Sequence, residues 1–198
     1  MNVDKHLRDL ALLATRLTLG GSIAMHGAQK MFGVQDGPGL KGASGMMESL
    51  GFKPGTVFAS LNAATEMASG TMIALGVLGP IGPALLLSVM AVATETVHRP
   101  KGYWQQNGGF EMNAMYAINA VTLANEGYGA YSLDELLGWR ERFRPMHGWL
   151  SLTAGIAAAM VVLAQREKKP EAQPQEKTEQ HGSSQQQTSS DSLTSAAV

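Results

Sequence analysis

Five ionisable side chains at the ends of apolar segments are the residues best suited to chemistry. His26 and Lys30 lie in AMHGAQK, Glu95 and His98 in ATETVH, and Glu111 in GGFEM. An imidazole can accept or donate a proton near neutral pH, and a carboxylate can accept one. Glu95 and His98 are three residues apart, so they would lie on one side of a helix. These residue types suit a site that binds and deprotonates a hydroxyl group.

Metal chemistry is less well supported by the same residues. A Glu-x-x-His pair such as Glu95 and His98 occurs in di-iron helical bundles, but those sites use two such pairs and two further glutamates. Haem bound by His26 and His98 would rest on two histidines alone. The chain has no cysteine, which excludes disulfides, thiolate ligands and cysteine nucleophiles. We therefore assign no metal ligands, and iron or haem is not favoured.

Five apolar segments must position these side chains. Each is long enough to cross a hydrocarbon layer of roughly 30 Å as a helix. They are rich in Gly, Ala, Ser and Thr, which allow close helix packing within a bilayer. A soluble helix should show a polar face, and IGPALLLSVMAVA shows none. The segments predict membrane-spanning helices at residues 8–30, 56–78, 81–98, 110–126 and 148–165.

The connections between the segments differ in kind. Residues 31–55 predict a long loop in which GASGMMESLGF forms a short interfacial helix. The Gly/Pro-rich GVLGPIGP predicts a tight turn. In residues 99–109, Tyr103 and Trp104 stand where an aromatic belt would meet the membrane surface. Residues 166–198 contain almost no large apolar side chains, so a disordered polar tail is predicted.

An up-down-up-down order of the first four helices would bring distant residues together. We call the membrane face that residue 30 reaches face B, and the opposite one face A. His26, His98 and Glu111 then fall near face B, with Lys30 as an electrostatic aid and Glu95 one turn deeper. This arrangement predicts a polar pocket. The alternative is structural packing, in which the histidines are merely hydrogen-bonded and Glu111 complements a helix dipole.

Arg16 and Glu66 form a second predicted layer, inside the helices. Arg16 lies about 21 Å from Lys30, and Glu66 about 16 Å from Gly55, at the rise of a helix. An unpaired charge is costly in hydrocarbon. The similar depths therefore predict an Arg16–Glu66 ion pair.

The sequence also resembles the DoxX family of small bacterial membrane proteins. The resemblance rests on RLTLGGSIAMHGAQKMFG, EMASG, the VH that closes the third segment, GGFEM and GYGAYSLDELLG, in this order over residues 8–138. It implies a transmembrane four-helix bundle. The family takes its name from a subunit associated with a terminal quinol oxidase, and other members are linked to membrane redox and thiol-stress complexes. This chain continues past the family ending into a predicted fifth helix.

These observations predict an all-α protein with a DoxX-like transmembrane four-helix bundle at 1–138, a connection and fifth transmembrane helix at 139–165, and the tail at 166–198. The predicted location is the inner membrane, crossed several times, with the lipid bilayer and subunits of a redox complex as partners. The predicted role is a redox accessory subunit that meets a quinone or quinol through His26, Lys30, His98 and Glu111. The alternative is a non-enzymatic small-solute transporter or assembly partner. A net charge of −1 gives no footprint for nucleic acid.

Overall fold

A computed structural model describes residues 3–143 and 145–167, and within them all regular structure is helical. The predicted all-α class is therefore confirmed for this part of the chain. Most of the predicted tail, from residue 168 onward, lies outside the described residues. The helices are α1 (Val3–Phe32), α2 (Gly39–Ser49), α3 (Gly55–Leu75), α4 (Ile81–Ala93), α5 (Glu111–Glu126), α6 (Leu133–Leu136) and α7 (Pro145–Ala164).

The five apolar segments become α1, α3, α4, α5 and α7. The turn between α3 and α4 begins at Gly76, whose φ of 67° closes α3 in the left-handed region. Leu78 and Gly79 also have positive φ, and this confirms the predicted tight turn. Beyond Ala93, α4 continues through a π-helical turn at Thr94–His98. A short helix, α2, forms within residues 31–55, as the amphipathic patch predicted.

The contact between α1 and α3 is unusually close because glycines line it. A Cβ atom on Gly20 would lie 2.5 Å from the carbonyl oxygen of Gly70, and one on Gly27 would lie 2.6 Å from that of Ala63. Such distances leave no room for any side chain. Close approach through small residues is how helices associate where lipid supplies no hydrophobic drive.

The remaining helices pack around this pair. Leu19, Ile23, Ile73, Leu86 and Leu123 form a buried cluster that joins α1, α3, α4 and α5. Helix α7 packs on α4 and α5. It starts with Gly148 against Ala124 and continues with Gly155 against Ala84, and just after it Arg166 Nε donates to the Leu50 carbonyl oxygen at 2.7 Å. The fifth helix therefore starts beside the end of α5 and finishes beside the α2–α3 connection, at face B.

The predicted ion pair between Arg16 and Glu66 is wrong. Among the described residues Glu66 pairs with Lys30 instead, and Arg16 donates to the carbonyl oxygen of Tyr131. The reason is the register of α1 and α3. Gly27 of α1 stands opposite Ala63 and Met67 of α3, so Glu66 lies level with the last turns of α1, within reach of Lys30. Arg16 is fourteen residues before Lys30 along α1 and is therefore too far away. The depth argument assumed that α1 ends level with the start of α3, whereas the first turns of α3 extend beyond α1 and pack on α2.

Within the described part of the chain, two helices are long and apolar enough to cross a membrane by length and composition, namely Ile81–Lys101 and Met146–Ala164. The second is the more exposed, with 22% of its apolar window buried. Its outward side chains include Leu150, Met160 and Val161, each at least 60% exposed. An exposed apolar surface of this kind is what a lipid-facing helix requires.

Candidate functional site

The residues predicted to share a pocket at face B have separate partners. His26 is exposed, and its Nδ1 donates to Oε1 of Gln29, one turn along the same helix, at 3.2 Å. A hydrogen bond within one helix turn fixes the imidazole ring but connects it to no other element. The structure therefore gives His26 a local surface role.

His98 and Glu111 both hold the connection between α4 and α5. His98 Nδ1 donates to the Gly108 carbonyl oxygen at 2.7 Å. The Glu111 carboxylate accepts from the Gln105 backbone N–H at 2.9 Å. These bonds secure both ends of a loop that presents Tyr103 and Trp104, which are 46% and 58% exposed. The two predicted site residues thus act on loop geometry in this structure.

Glu95 is occupied by an ion pair on its own helix. Nη1 of Arg99 lies 2.8 and 2.7 Å from the two carboxylate oxygens of Glu95. A shallow cavity beside Glu95 is lined by residues of α4 and α5 that include neither His98 nor Glu111. That cavity therefore does not connect Glu95 with His98 or Glu111.

Lys30 and Glu66 form the polar group that the structure does build at face B. The ammonium of Lys30 donates to Oε1 of Glu66, whose side chain is 5% exposed, while that of Lys30 is 31% exposed. Oε2 of Glu66 is buried without a hydrogen-bond partner among the described residues. Lys30, about one third exposed, therefore supplies the counter-charge for a Glu66 carboxylate that is almost fully enclosed.

A second buried polar group surrounds Arg16 near face A. Arg16 is fully buried, and its Nη2 donates to the Tyr131 carbonyl oxygen at 2.5 Å. The guanidinium lies 5.6 Å from the ring centroid of Tyr128, within the range of a cation–π contact. Its Nη1 stands in the space that a side chain on Gly76 would need. Arg16 therefore ties α1 to the segment that follows α5.

Asp134 holds the segment that follows α5 in place. The sequence analysis does not identify this residue. It is 3% exposed, and its two carboxylate oxygens accept the backbone N–H groups of Leu78 and Gly79 at 2.9 and 2.7 Å. Ser132 caps α6 by accepting from the Glu135 N–H. A Ser-x-x-Glu capping pattern in GYGAYSLDELLG could have indicated this helix start.

An apolar crevice lies between α3, α4 and α7, closer to face B. Its volume is about 190 Å³, and its walls include Phe52, Phe58 and Val89. Leu61 is 53% exposed and Ala158 is exposed, so the crevice is open at the outer surface of the helices. The other lining residues are Met47, Asn62, Thr65, Leu85, Ser88, Val92 and Val162.

Three side chains of the crevice supply polar atoms, namely Asn62, Thr65 and Ser88. The hydroxyl of Thr65 donates to the carbonyl oxygen of Leu61 at 2.7 Å, which leaves Asn62 and Ser88 as the polar groups that could bind a guest. A mostly apolar recess with a few polar groups is typical of small-molecule sites. Among residues 3–143 and 145–167, no group of three or more histidine or acidic side chains could hold a metal ion.

Comparison with known proteins gives one match. The family model DoxX matches residues 11–99, a range that contains most of α1, all of α2 to α4, and both Arg16 and Glu66. No curated protein matches the chain, and no solved structure matches it.

Proposed function

This chain belongs to the DoxX family over residues 11–99, and we propose that it is an inner-membrane protein that serves as an accessory subunit of a quinol-linked redox complex. Its task in that complex is to hold a quinone or quinol. The chain is a DoxX-family membrane protein, and the ligand and the complex are our proposal. The apolar crevice with Asn62 and Ser88 is the observation that carries it.

The exposed apolar side chains support the proposal that the chain crosses the bilayer several times. We assign α1, α3, α4 and α5 as a transmembrane four-helix bundle and α7 as the fifth span. Large apolar side chains of α1, α3, α5 and α7 point outward. In water they would form extended apolar patches. Examples are Leu17 of α1, Leu61 of α3, Ile118 of α5 and Val161 of α7, each more than 50% exposed.

The crevice suits a quinone by its chemistry. A quinone has an apolar ring and chain, and two carbonyl oxygens that accept hydrogen bonds. The amide of Asn62 and the hydroxyl of Ser88 can donate to such oxygens, while Phe58 and Val89 pack against the apolar parts. The opening beside Leu61 and Ala158 would admit a lipid-soluble molecule from the bilayer.

The lining also indicates an accessory role. None of the residues that line the crevice carries an acidic, basic or histidine side chain, so the wall offers no proton acceptor for quinol oxidation. The chain has no cysteine either, and therefore it performs no dithiol exchange. Binding and positioning are what these residues can do, and electron transfer falls to a partner subunit.

Purification of the full chain in mild detergent, followed by solvent extraction and oxidised-minus-reduced absorption spectra, tests the proposal. We expect quinone to remain with the wild type and with His98→Ala, and to be largely lost from Asn62→Leu. Asn119→Leu is the matched control, because Asn119 bonds within α5 to the Met115 carbonyl oxygen and is not part of the crevice. Loss from His98→Ala with retention in Asn62→Leu would overturn the assigned site. Solute flux in proteoliposomes without bound quinone would favour the transporter alternative.

A further inference from the structure

The chain just after α7 is fastened to the connection between α2 and α3 by three contacts. Nε of Arg166 donates to the Leu50 carbonyl oxygen at 2.7 Å, and the backbone N–H of Glu167 donates to the Gly51 carbonyl oxygen at 2.8 Å. The ammonium of Lys53 lies 2.9 Å from Oε2 of Glu167. We call these three contacts the clasp. Because they join segments far apart in the chain, they fix the end of α7 relative to α2 and α3.

The clasp encloses one residue of the crevice wall, namely Phe52. Its two neighbours in the chain are both bound to Glu167, Gly51 through its carbonyl oxygen and Lys53 through its ammonium. Phe52 is 1% exposed, and its ring centroid lies 5.2 Å from that of Phe58. Both rings line the crevice. The position of Phe52 therefore depends on where Glu167 holds the chain on either side of it.

The backbone at Gly51 is shaped to receive the end of α7. Its φ of 93° lies in the left-handed region that favours glycine. A Cβ atom at this position would clash with the backbone carbonyl oxygen of Glu167. Any side chain here would push the two segments apart, so the turn is fitted to the clasp independently of the hydrogen bonds.

Helix α7 also supplies part of the crevice directly. Ala158 and Val162 belong to its lining, and the clasp follows within a few residues. α7 lies outside residues 11–99, which the family model matches. The crevice is therefore bounded by α7 on one side, and at its face B end by Phe52, which the clasp holds.

We infer that Arg166 and Glu167 are positioning residues of the crevice, which hold Phe52 against a bound quinone. This inference rests on the quinone site proposed above. An apolar wall attracts a ligand only while it stays in contact, and a gap of about 0.5–1 Å forfeits roughly a quarter to a half of that attraction. Neither Arg166 nor Glu167 lines the crevice, so both act through Phe52.

Charge reversal in the clasp tests the inference on the full chain in detergent, titrated with decylubiquinone. Glu167→Lys should weaken binding about three- to fivefold, the upper range for an exposed ion pair. Lys53→Glu/Glu167→Lys restores an ion pair and should bind as the wild type does. Glu126→Lys is the matched control, because it reverses the exposed Arg8–Glu126 pair, which joins α1 to the end of α5 and is not part of the crevice.

Phe52→Leu separates positioning from general stability. Glu167→Lys should weaken binding in the wild-type background but hardly at all in Phe52→Leu, because the wall that it positions is already altered. Losses of affinity that simply add in the two backgrounds would overturn the inference. Wild-type affinity in Glu167→Lys would overturn it as well, and so would a double reversal that fails to restore binding.

Amide hydrogen exchange distinguishes failure of the clasp from failure of the quinone site. Without ligand, Glu167→Lys should speed exchange in residues 47–58, and Glu126→Lys should not. A wild type that binds no decylubiquinone, together with faster exchange in Glu167→Lys, would refute the quinone site while the clasp stands. Unchanged exchange in residues 47–58 would overturn the clasp whether or not quinone binds.

Discussion

The ammonium of Lys30 pairs with the buried carboxylate of Glu66 across the contact between α1 and α3. Lys30→Met should lower the free energy of unfolding by about 3–5 kcal/mol, because it leaves a buried carboxylate without its counter-charge. The double variant Lys30→Met/Glu66→Leu should recover much of that loss. Unfolding in mixed detergent and SDS measures both.

The matched control for this pair is Arg16→Met combined with Glu66→Leu. Arg16 is bonded to the Tyr131 carbonyl oxygen, so its effect and that of Glu66 should simply add. Strong coupling between Arg16 and Glu66, with none between Lys30 and Glu66, would contradict the register of α1 and α3 described above.

Two adjacent glycines of α1 should respond in opposite directions to the same substitution. A Cβ on Gly20 would lie 2.5 Å from backbone atoms of Gly70 and Ala74, whereas one on Gly21 meets nothing within 4 Å. Gly20→Ala should destabilise the protein by at least about 1–3 kcal/mol through overpacking. Gly21→Ala should be neutral or stabilise it by up to about 1 kcal/mol, because alanine favours a helix. Similar unfolding curves for the two variants would rule out the close helix contact.

Alkaline pH should weaken the fold through Tyr128. Burial, and after it the nearby carboxylate of Asp134, raise the pKa of Tyr128 above its ordinary value of 10.0. The phenol stays neutral in the folded protein but ionises in the unfolded chain, so its contribution is complete below pH 10 and is lost as pH rises further. Between pH 10 and 11 the wild type should lose roughly 1 kcal/mol more than Tyr128→Phe. Parallel pH profiles for the two proteins would show that Tyr128 is not buried.

The path of α7 predicts that the two ends of the described chain lie on opposite sides of the membrane. Since the chain has no cysteine, single cysteines can report accessibility to a membrane-impermeant thiol reagent. We expect Lys5→Cys and Glu141→Cys to react from one side, and Lys41→Cys and Glu167→Cys from the other. Labelling of positions 141 and 167 from the same side would mean that α7 does not cross.

Much of the helical architecture could be predicted because apolar segments of adequate length are bounded by glycine and proline. The apolar segment predicts a helix at 110–126, and α5 is found at Glu111–Glu126. The partner of Arg16 could not be predicted, since it depends on how far α3 slides along α1, which glycine contacts decide. Ionisable residues at helix ends suggest a shared pocket, but His98 and Glu111 hydrogen-bond to the backbone of the loop between α4 and α5. The sequence pattern does not predict the conformation of that loop.

The crevice shows why the candidate site escaped prediction. Its polar members, Asn62 and Ser88, lie on different helices and belong to no recognisable spacing. Only the packing of α3, α4 and α7 brings them to one recess. A sequence analysis that starts from titratable residues cannot find this crevice, because no titratable side chain lines it.

Labelling with a photoreactive quinone in native-like membranes, followed by peptide mapping, tests the central claim most directly. We predict cross-links to the lining of the crevice, at Phe58 to Thr65 of α3 and Leu85 to Val92 of α4, that excess unlabelled quinone removes. Asn62→Leu should reduce this labelling, and Asn119→Leu should leave it unchanged. Specific cross-links confined to the loop between His98 and Glu111, or labelling of the crevice that Asn62→Leu does not alter, would contradict the account.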